Sequence, residues 1–134
     1  MRAARLVTVT IAALALAQTT RSVWDGVYTE DQAKHGAAVY AKECASCHGA
    51  ELGGGESAPA LIGGAFLTNW NTLTVGDLFE RIRQSMPQDD PGRLSRQQDA
   101  DVLAFMLQAN EFPAGKTELD KQTEVLKLIG FKKK

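Results

Sequence analysis

Cys44-Ala45-Ser46-Cys47-His48 brings together the chain's only two cysteines and one of its two histidines. A C-x-x-C-H run of this kind is the signature of covalent c-type haem attachment. Two cysteines three apart, where a helix ends, direct both sulfurs toward one face. There they form thioethers with the two vinyl groups of a porphyrin. The next residue, His48, then lies under the iron, where an imidazole nitrogen binds as the proximal ligand. Gly49 follows, so the backbone turns away with no Cβ against the ring.

Other chemistries use the same residue types. A redox disulfide of the thioredoxin kind follows a strand in a βαβ unit, whereas a helix-forming stretch precedes Cys44. A zinc site needs four well-placed ligands. The other histidine, His35, stands nine residues before Cys44, on the opposite face of a helix and about 13 Å away along its axis. The third alternative is a chance pentapeptide with two structural thiols.

The elements that must position this motif read as helices. Thr29 with Gln32 forms a T-x-x-Q capping box, and Glu30 and Asp31 sit where the helix dipole favours negative charge. Ala33, Ala37, Tyr40, Ala41 and Cys44 recur at helical spacing, which predicts a first helix over about 30–45. Residues 49–73 carry Gly53-Gly54-Gly55, Pro59 and Gly63-Gly64 and read as one long irregular loop. Thr74 opens a short second helix with Leu78, Phe79 and Ile82 inward, and it stops before Met86-Pro87 because proline disfavours helix at the preceding residue. Asp89-Asp90-Pro91-Gly92 is turn chemistry. Ser95 with Gln98 caps a third helix, lined by Val102, Phe105, Met106 and Ala109 and widened by Leu103 and Leu107, ending near Phe112-Pro113. No internal repeat and no convincing strand pair is visible, so the expected class is all-α.

The 134 residues fit one domain. Hydrophobic residues at 44% and charged residues at 23% match a folded globular chain, and a net charge of −1 argues against a nucleic-acid partner. A loop of about 25 residues is unusual inside a compact domain. The span 29–112 is also short enough for an unaided core to be marginal. One explanation serves both: the core contains something other than side chains.

Arg2 and Arg5 precede the apolar stretch 6–17 (LVTVTIAALALA), which ends in Ala15-Leu16-Ala17, and no acidic residue appears before Asp25. This pattern predicts a secretory signal peptide over 1–17, and hence a periplasmic or secreted protein. As an uncleaved anchor the stretch would span about 18 Å of a hydrocarbon core roughly 30 Å thick. No later apolar run is long enough for a transmembrane helix, so no membrane association is expected after cleavage. The expected organisation is completed by an N-terminal extension over 18–28, a domain over 29–112 and a C-terminal tail over 113–134. The tail is polar apart from Val125, Leu126, Leu128, Ile129 and Phe131 and would lie on the domain or move freely.

On these features the chain resembles a class I c-type cytochrome, the monohaem family with histidine and methionine as axial ligands. The resemblance covers roughly 29–112: a helix leading into the C-x-x-C-H run, a long loop, a methionine before proline, and a final helix. It implies a cytochrome c-like fold of three main helices wrapped around covalently bound haem, with long irregular loops. In that family the first and last helices cross on a glycine and an aromatic one turn later. Gly36 and Tyr40 match that pair, with Leu103, Phe105 or Met106 facing them. The resemblance further implies that Met86 is the sixth iron ligand, with Met106 left as core filler. The carbonyl of Pro59 would accept a hydrogen bond from His48, an outer contact that orients a ligating histidine. Leu61 would pack on the ring, and Trp70 with Asn69 would stand near a propionate.

With both axial positions filled, the iron has no open site. Its Fe(II)/Fe(III) exchange would serve one-electron transfer, and methionine sulfur in a low-dielectric pocket would favour the ferrous state. The expected partners are transient redox proteins: a periplasmic dehydrogenase, a reductase or an oxidase. The rival class is a haem peroxidase or gas sensor in which Met86 leaves the iron.

Overall fold

The computed structural model describes residues 20–132; the expected signal peptide therefore lies outside the described residues. The order of elements is β1 (Arg21–Ser22), α1 (Glu30–Glu43), α2 (Ala45–His48), α3 (Gly63–Trp70), α4 (Val75–Ser85), α5 (Arg96–Ala109), α6 (Thr123–Leu126) and β2 (Ile129–Gly130). Among the described residues no helix is long and apolar enough to cross a membrane.

Local capping chemistry starts the three principal helices. The Thr29 hydroxyl accepts from the Gln32 amide at 3.2 Å, opening α1. Reciprocal capping boxes open α4, through Thr74 and Asp77, and α5, through Ser95 and Gln98. Helix α4 ends at Ser85 because Met86, which precedes proline, takes an extended conformation with φ −122° and ψ 150°.

Helices α1 and α5 cross at Gly36. A Cβ there would stand 1.8 Å from the Asp101 carbonyl oxygen and 2.9 Å from the Val102 nitrogen, so only glycine admits this approach. One turn on, the rings of Tyr40 and Phe105 meet with centroids 5.3 Å apart. The expected pairing of Gly36 and Tyr40 with the last helix is therefore present, with Phe105 as the aromatic partner. Met106 is 3% exposed and fills the core.

Four expectations need correction. The loop expected over 49–73 contains helix α3. Gly63 and Gly64 are its first residues, and the Asn110 side chain at the end of α5 accepts from the Gly63 amide at 3.1 Å. The cap thus comes from 47 residues away, and nothing nearby in sequence announces it. Second, the stripe expected on α1 is displaced: Ala41 is exposed while Gln32 is fully buried. Gln32 does not reach back to Thr29. Its amide nitrogen donates to the Leu119 carbonyl at 3.0 Å and its oxygen accepts from the Leu119 amide at 2.6 Å, so both polar ends are satisfied in the core. Third, the first helix ends earlier than expected: it breaks at Cys44 and a separate turn, α2, carries the haem motif.

The fourth correction concerns strands. β1 and β2 pair in parallel, with Arg21 opposite Ile129 and Ser22 opposite Gly130. Strands of two residues have no readable period. The pairing draws both ends of the described residues onto the helices, burying Val23, Val27 and Tyr28 from one side and Leu119, Leu126, Ile129 and Phe131 from the other. The Tyr28 hydroxyl donates to the Phe112 carbonyl at 2.6 Å, and the Trp24 indole donates to the Lys132 carbonyl at 2.8 Å. The tail lies on the domain, and the core extends well beyond the span 29–112.

Candidate functional site

Cys44 closes α1, Ala45–His48 adds one further turn, and Gly49 then leaves it with φ 86° and ψ 149°. That positive φ suits glycine and throws the following chain into a loop that folds back over the motif. The loop is pinned by backbone bonds: Gly54 donates to the His48 carbonyl at 2.7 Å, Gly55 to Ala58 at 2.9 Å and Leu61 to Leu52 at 2.8 Å. The Tyr40 hydroxyl donates to the Gly49 carbonyl at 2.6 Å. Burial pushes the Tyr40 phenol up to about 12, with the Cys44 side chain adding to the effect, so it stays protonated as a donor.

The folded-back loop carries Pro59 to His48, whose Nδ1 lies 2.8 Å from the Pro59 carbonyl oxygen. A carbonyl only accepts, so Nδ1 bears the proton and Nε2 keeps its lone pair for a metal. His48 is 8% exposed, with its ring fixed between α2 and the loop. This is the contact the resemblance implied for Pro59. Leu61, two residues on, is half-buried against the core and gives its carbonyl to the Asn110 amide at 2.9 Å.

Cys44 and Cys47 are free thiols, Cys44 half-buried and Cys47 exposed. Burial pushes the Cys44 thiol up to about 11, Glu43 and Asp99 push the same way, and Arg93 opposes them. Redox-active and catalytic cysteines need the reverse, a thiol held well below its ordinary range. Among the described residues no group of three or more His, Cys, Asp and Glu side chains is arranged to hold a metal ion. His35 is exposed on α1. A zinc site therefore finds no support among the described residues. Two thiols beside one histidine with a free Nε2 fit a porphyrin attached through its vinyl groups.

Met86 is half-buried where α4 gives way to the next turn, packed against the core. Trp70 is also half-buried, but its ring packs against Phe66 and Phe131, with centroids 6.3 and 6.4 Å away, while Asn69 is exposed. Trp70 thus belongs to the aromatic cluster beneath the C-terminal strand. Sequence reasoning missed Asn110, which joins the Leu61 carbonyl to the start of α3, and Arg93, which bonds Glu43 beside the motif. A lone asparagine at a helix end and an arginine in a turn carry no spacing signal.

A mostly helical chain with its first and last helices crossed on a glycine, and a haem-binding turn directly after the first, defines a monohaem class I c-type cytochrome. Residues 31–106 match the family described as cytochrome c oxidase, cbb3-type, subunit III, and the chain belongs to it. Haem c is its covalent cofactor, and the chain is an electron-transfer haem protein. Among solved structures, the sulfane dehydrogenase SoxCD from Paracoccus pantotrophus is similar over 75% of this chain, with 26% identity and a TM-score of 0.49. This chain spans 60% of the length of that one. A search of curated proteins gives no match.

Proposed function

We propose that this protein is an exported one-electron carrier whose haem iron is held by His48 on one side and Met86 on the other. The observation that carries the reading is the 2.8 Å contact from His48 Nδ1 to the Pro59 carbonyl. It sets the tautomer that leaves Nε2 as ligand and raises its basicity. Cys44 and Cys47 hold the porphyrin through thioethers. The haem supplies Fe(II)/Fe(III) exchange, and the protein's part is to hold both ligands still while the charge changes. A low-dielectric pocket, which the resemblance implies, would favour the less charged ferrous state.

Met86 supports the reading by its place: it follows α4 directly, in extended backbone, and its amide donates to the Ile82 carbonyl at 2.9 Å. Export to the periplasm rests on the basic start and short apolar stretch of residues 1–17. Electrons would pass to and from transient partners, a dehydrogenase, reductase or oxidase; the family's description itself names an oxidase subunit. Against a peroxidase or gas sensor stands the position of His35, exposed on α1, where it serves no distal acid–base role.

The test is Met86→Ala in holoprotein matured in a competent host. The oxidised parent should show a far-red sulfur-to-iron charge-transfer band, and the variant should lose it, with a lowered reduction potential and rapid carbon monoxide binding when reduced. An unchanged spectrum and potential would rule Met86 out as the ligand.

A further inference from the structure

The turn that follows Met86 is tied to the haem-attachment side by charge. Within the turn two of the three backbone bonds are long: Asp90 donates to Pro87 at 3.0 Å, but Arg93 to Asp90 and Gly92 to Met86 at 3.4 Å each. Arg93, at its far end, reaches across to α1. Its Nε donates to Glu43 Oε2 at 2.9 Å, and its Nη2 donates to the same oxygen. Its Nη1 turns back to both oxygens of Asp89, each at 3.5 Å.

Glu43 is the last residue of α1 and adjoins Cys44. Its side chain is only 13% exposed, and the Lys42 ammonium, at 4.0 Å, touches its other oxygen from solvent. A carboxylate this enclosed depends on its arginine, two of whose N–H groups converge on one of its oxygens. The same side chain thus bonds the turn to itself, through Asp89, and to the residue before the first thioether.

We propose that Arg93 is a positioning residue for the sixth iron ligand: it latches the Met86 turn to the end of α1 and thereby keeps methionine sulfur from yielding to an external ligand. This rests on Met86 as ligand. An external base binds only when Met86 is off the iron, so its apparent affinity scales with the fraction of open turn.

The probe is imidazole, titrated into the oxidised holoprotein and followed by loss of the far-red band. Arg93→Ala should raise the apparent imidazole affinity about fivefold, the worth of one well-made ion pair. Glu43→Gln should do the same, and the double variant should add nothing further, since both changes break one contact. Arg93→Lys keeps the charge without the fork and should fall between parent and Arg93→Ala. Lys34→Ala, which breaks the exposed Lys34–Asp31 pair elsewhere on α1, should titrate like the parent. If Arg93→Ala and Glu43→Gln hold the band and bind imidazole as the parent does, the latch is wrong while Met86 stands. The latch is equally wrong if denaturation stability falls and imidazole affinity does not move. A parent without the band overturns the Met86 assignment, and the latch with it.

Discussion

His48 and Met86 sit in segments built by different means. Around His48, backbone bonds from Gly54, Gly55 and Leu61, the Pro59 carbonyl and the Tyr40 hydroxyl all lie between 2.6 and 2.9 Å. Around Met86, one backbone bond to Ile82 is short, the bonds closing the turn reach 3.4 Å, and the link to α1 is an arginine–carboxylate pair open to solvent on one side. The first segment is held by several polar contacts made within itself. The second depends on charges whose attraction salt and water weaken. On the proposed ligation such a division would suit a carrier: the histidine side would fix the cofactor, and the methionine side would set how firmly the sixth position is closed.

The widest separation of the two sides comes from removing the attachment itself. Replacing Cys44 and Cys47 together by alanine should give colourless protein with the mass of the bare processed chain, read by intact-mass spectrometry. Covalently bound haem in that variant would refute the attachment site.

Next in size is the crossing that sets α1 and hence the whole histidine side. In Gly36→Val a Cβ 1.8 Å from the Asp101 carbonyl oxygen must force the helices apart. The expected cost is about 3 kcal/mol in denaturant unfolding. A loss below about 1 kcal/mol would show that the crossing yields easily.

Asp99 tests the ground between the two sides. It is 1% exposed, and among the described residues neither carboxylate oxygen has a hydrogen-bond partner. Burial raises its pKa from 3.8 to about 6; Arg83 and Arg96 pull it down, and Glu80 pushes it up. A folded-state value above the unfolded one means the neutral carboxyl is the form folding prefers. Its contribution is fully present below about pH 4 and is lost as pH rises through about 6. The difference of about two units corresponds to about 3 kcal/mol at most. Asp99→Asn should therefore unfold at higher denaturant than the parent at about pH 8, with the gap closing by about pH 4. Equal gaps at both values would mean that Asp99 does not titrate in this range.

The smallest expected effect sharpens the contrast most. Tyr40→Phe removes the donor to the Gly49 carbonyl and should cost about 1 kcal/mol of stability. Because it loosens only the histidine side, imidazole affinity should stay at the parent's value. A rise equal to that of Arg93→Ala would show that the two sides respond as one.

Much of the site was legible in the sequence. The C-x-x-C-H run, Gly36 with Tyr40, Pro59 within reach of His48, and the stop before Met86-Pro87 all follow from spacing, capping, proline sterics or family likeness. Helix α3 was hidden because its cap is Asn110, and Gly63-Gly64 looks like a break when that partner is ignored. Gln32 was assigned to a capping box that its side chain abandons for Leu119, 87 residues away. Asp99 occupies a core position on α5 that no polar residue would be expected to take.

By itself the sequence determined the attachment chemistry, because that chemistry is written in adjacent residues whose geometry one helical turn enforces. It determined where α1, α4 and α5 begin for the same reason: N-caps act between near neighbours along the chain. Tertiary structure alone decided how β1 and β2 pair, where α3 begins, and what Arg93 holds. Each of those rests on a hydrogen bond or ion pair between groups 47 to 108 residues apart. Such contacts exist only once the helices have crossed, and no local pattern encodes them.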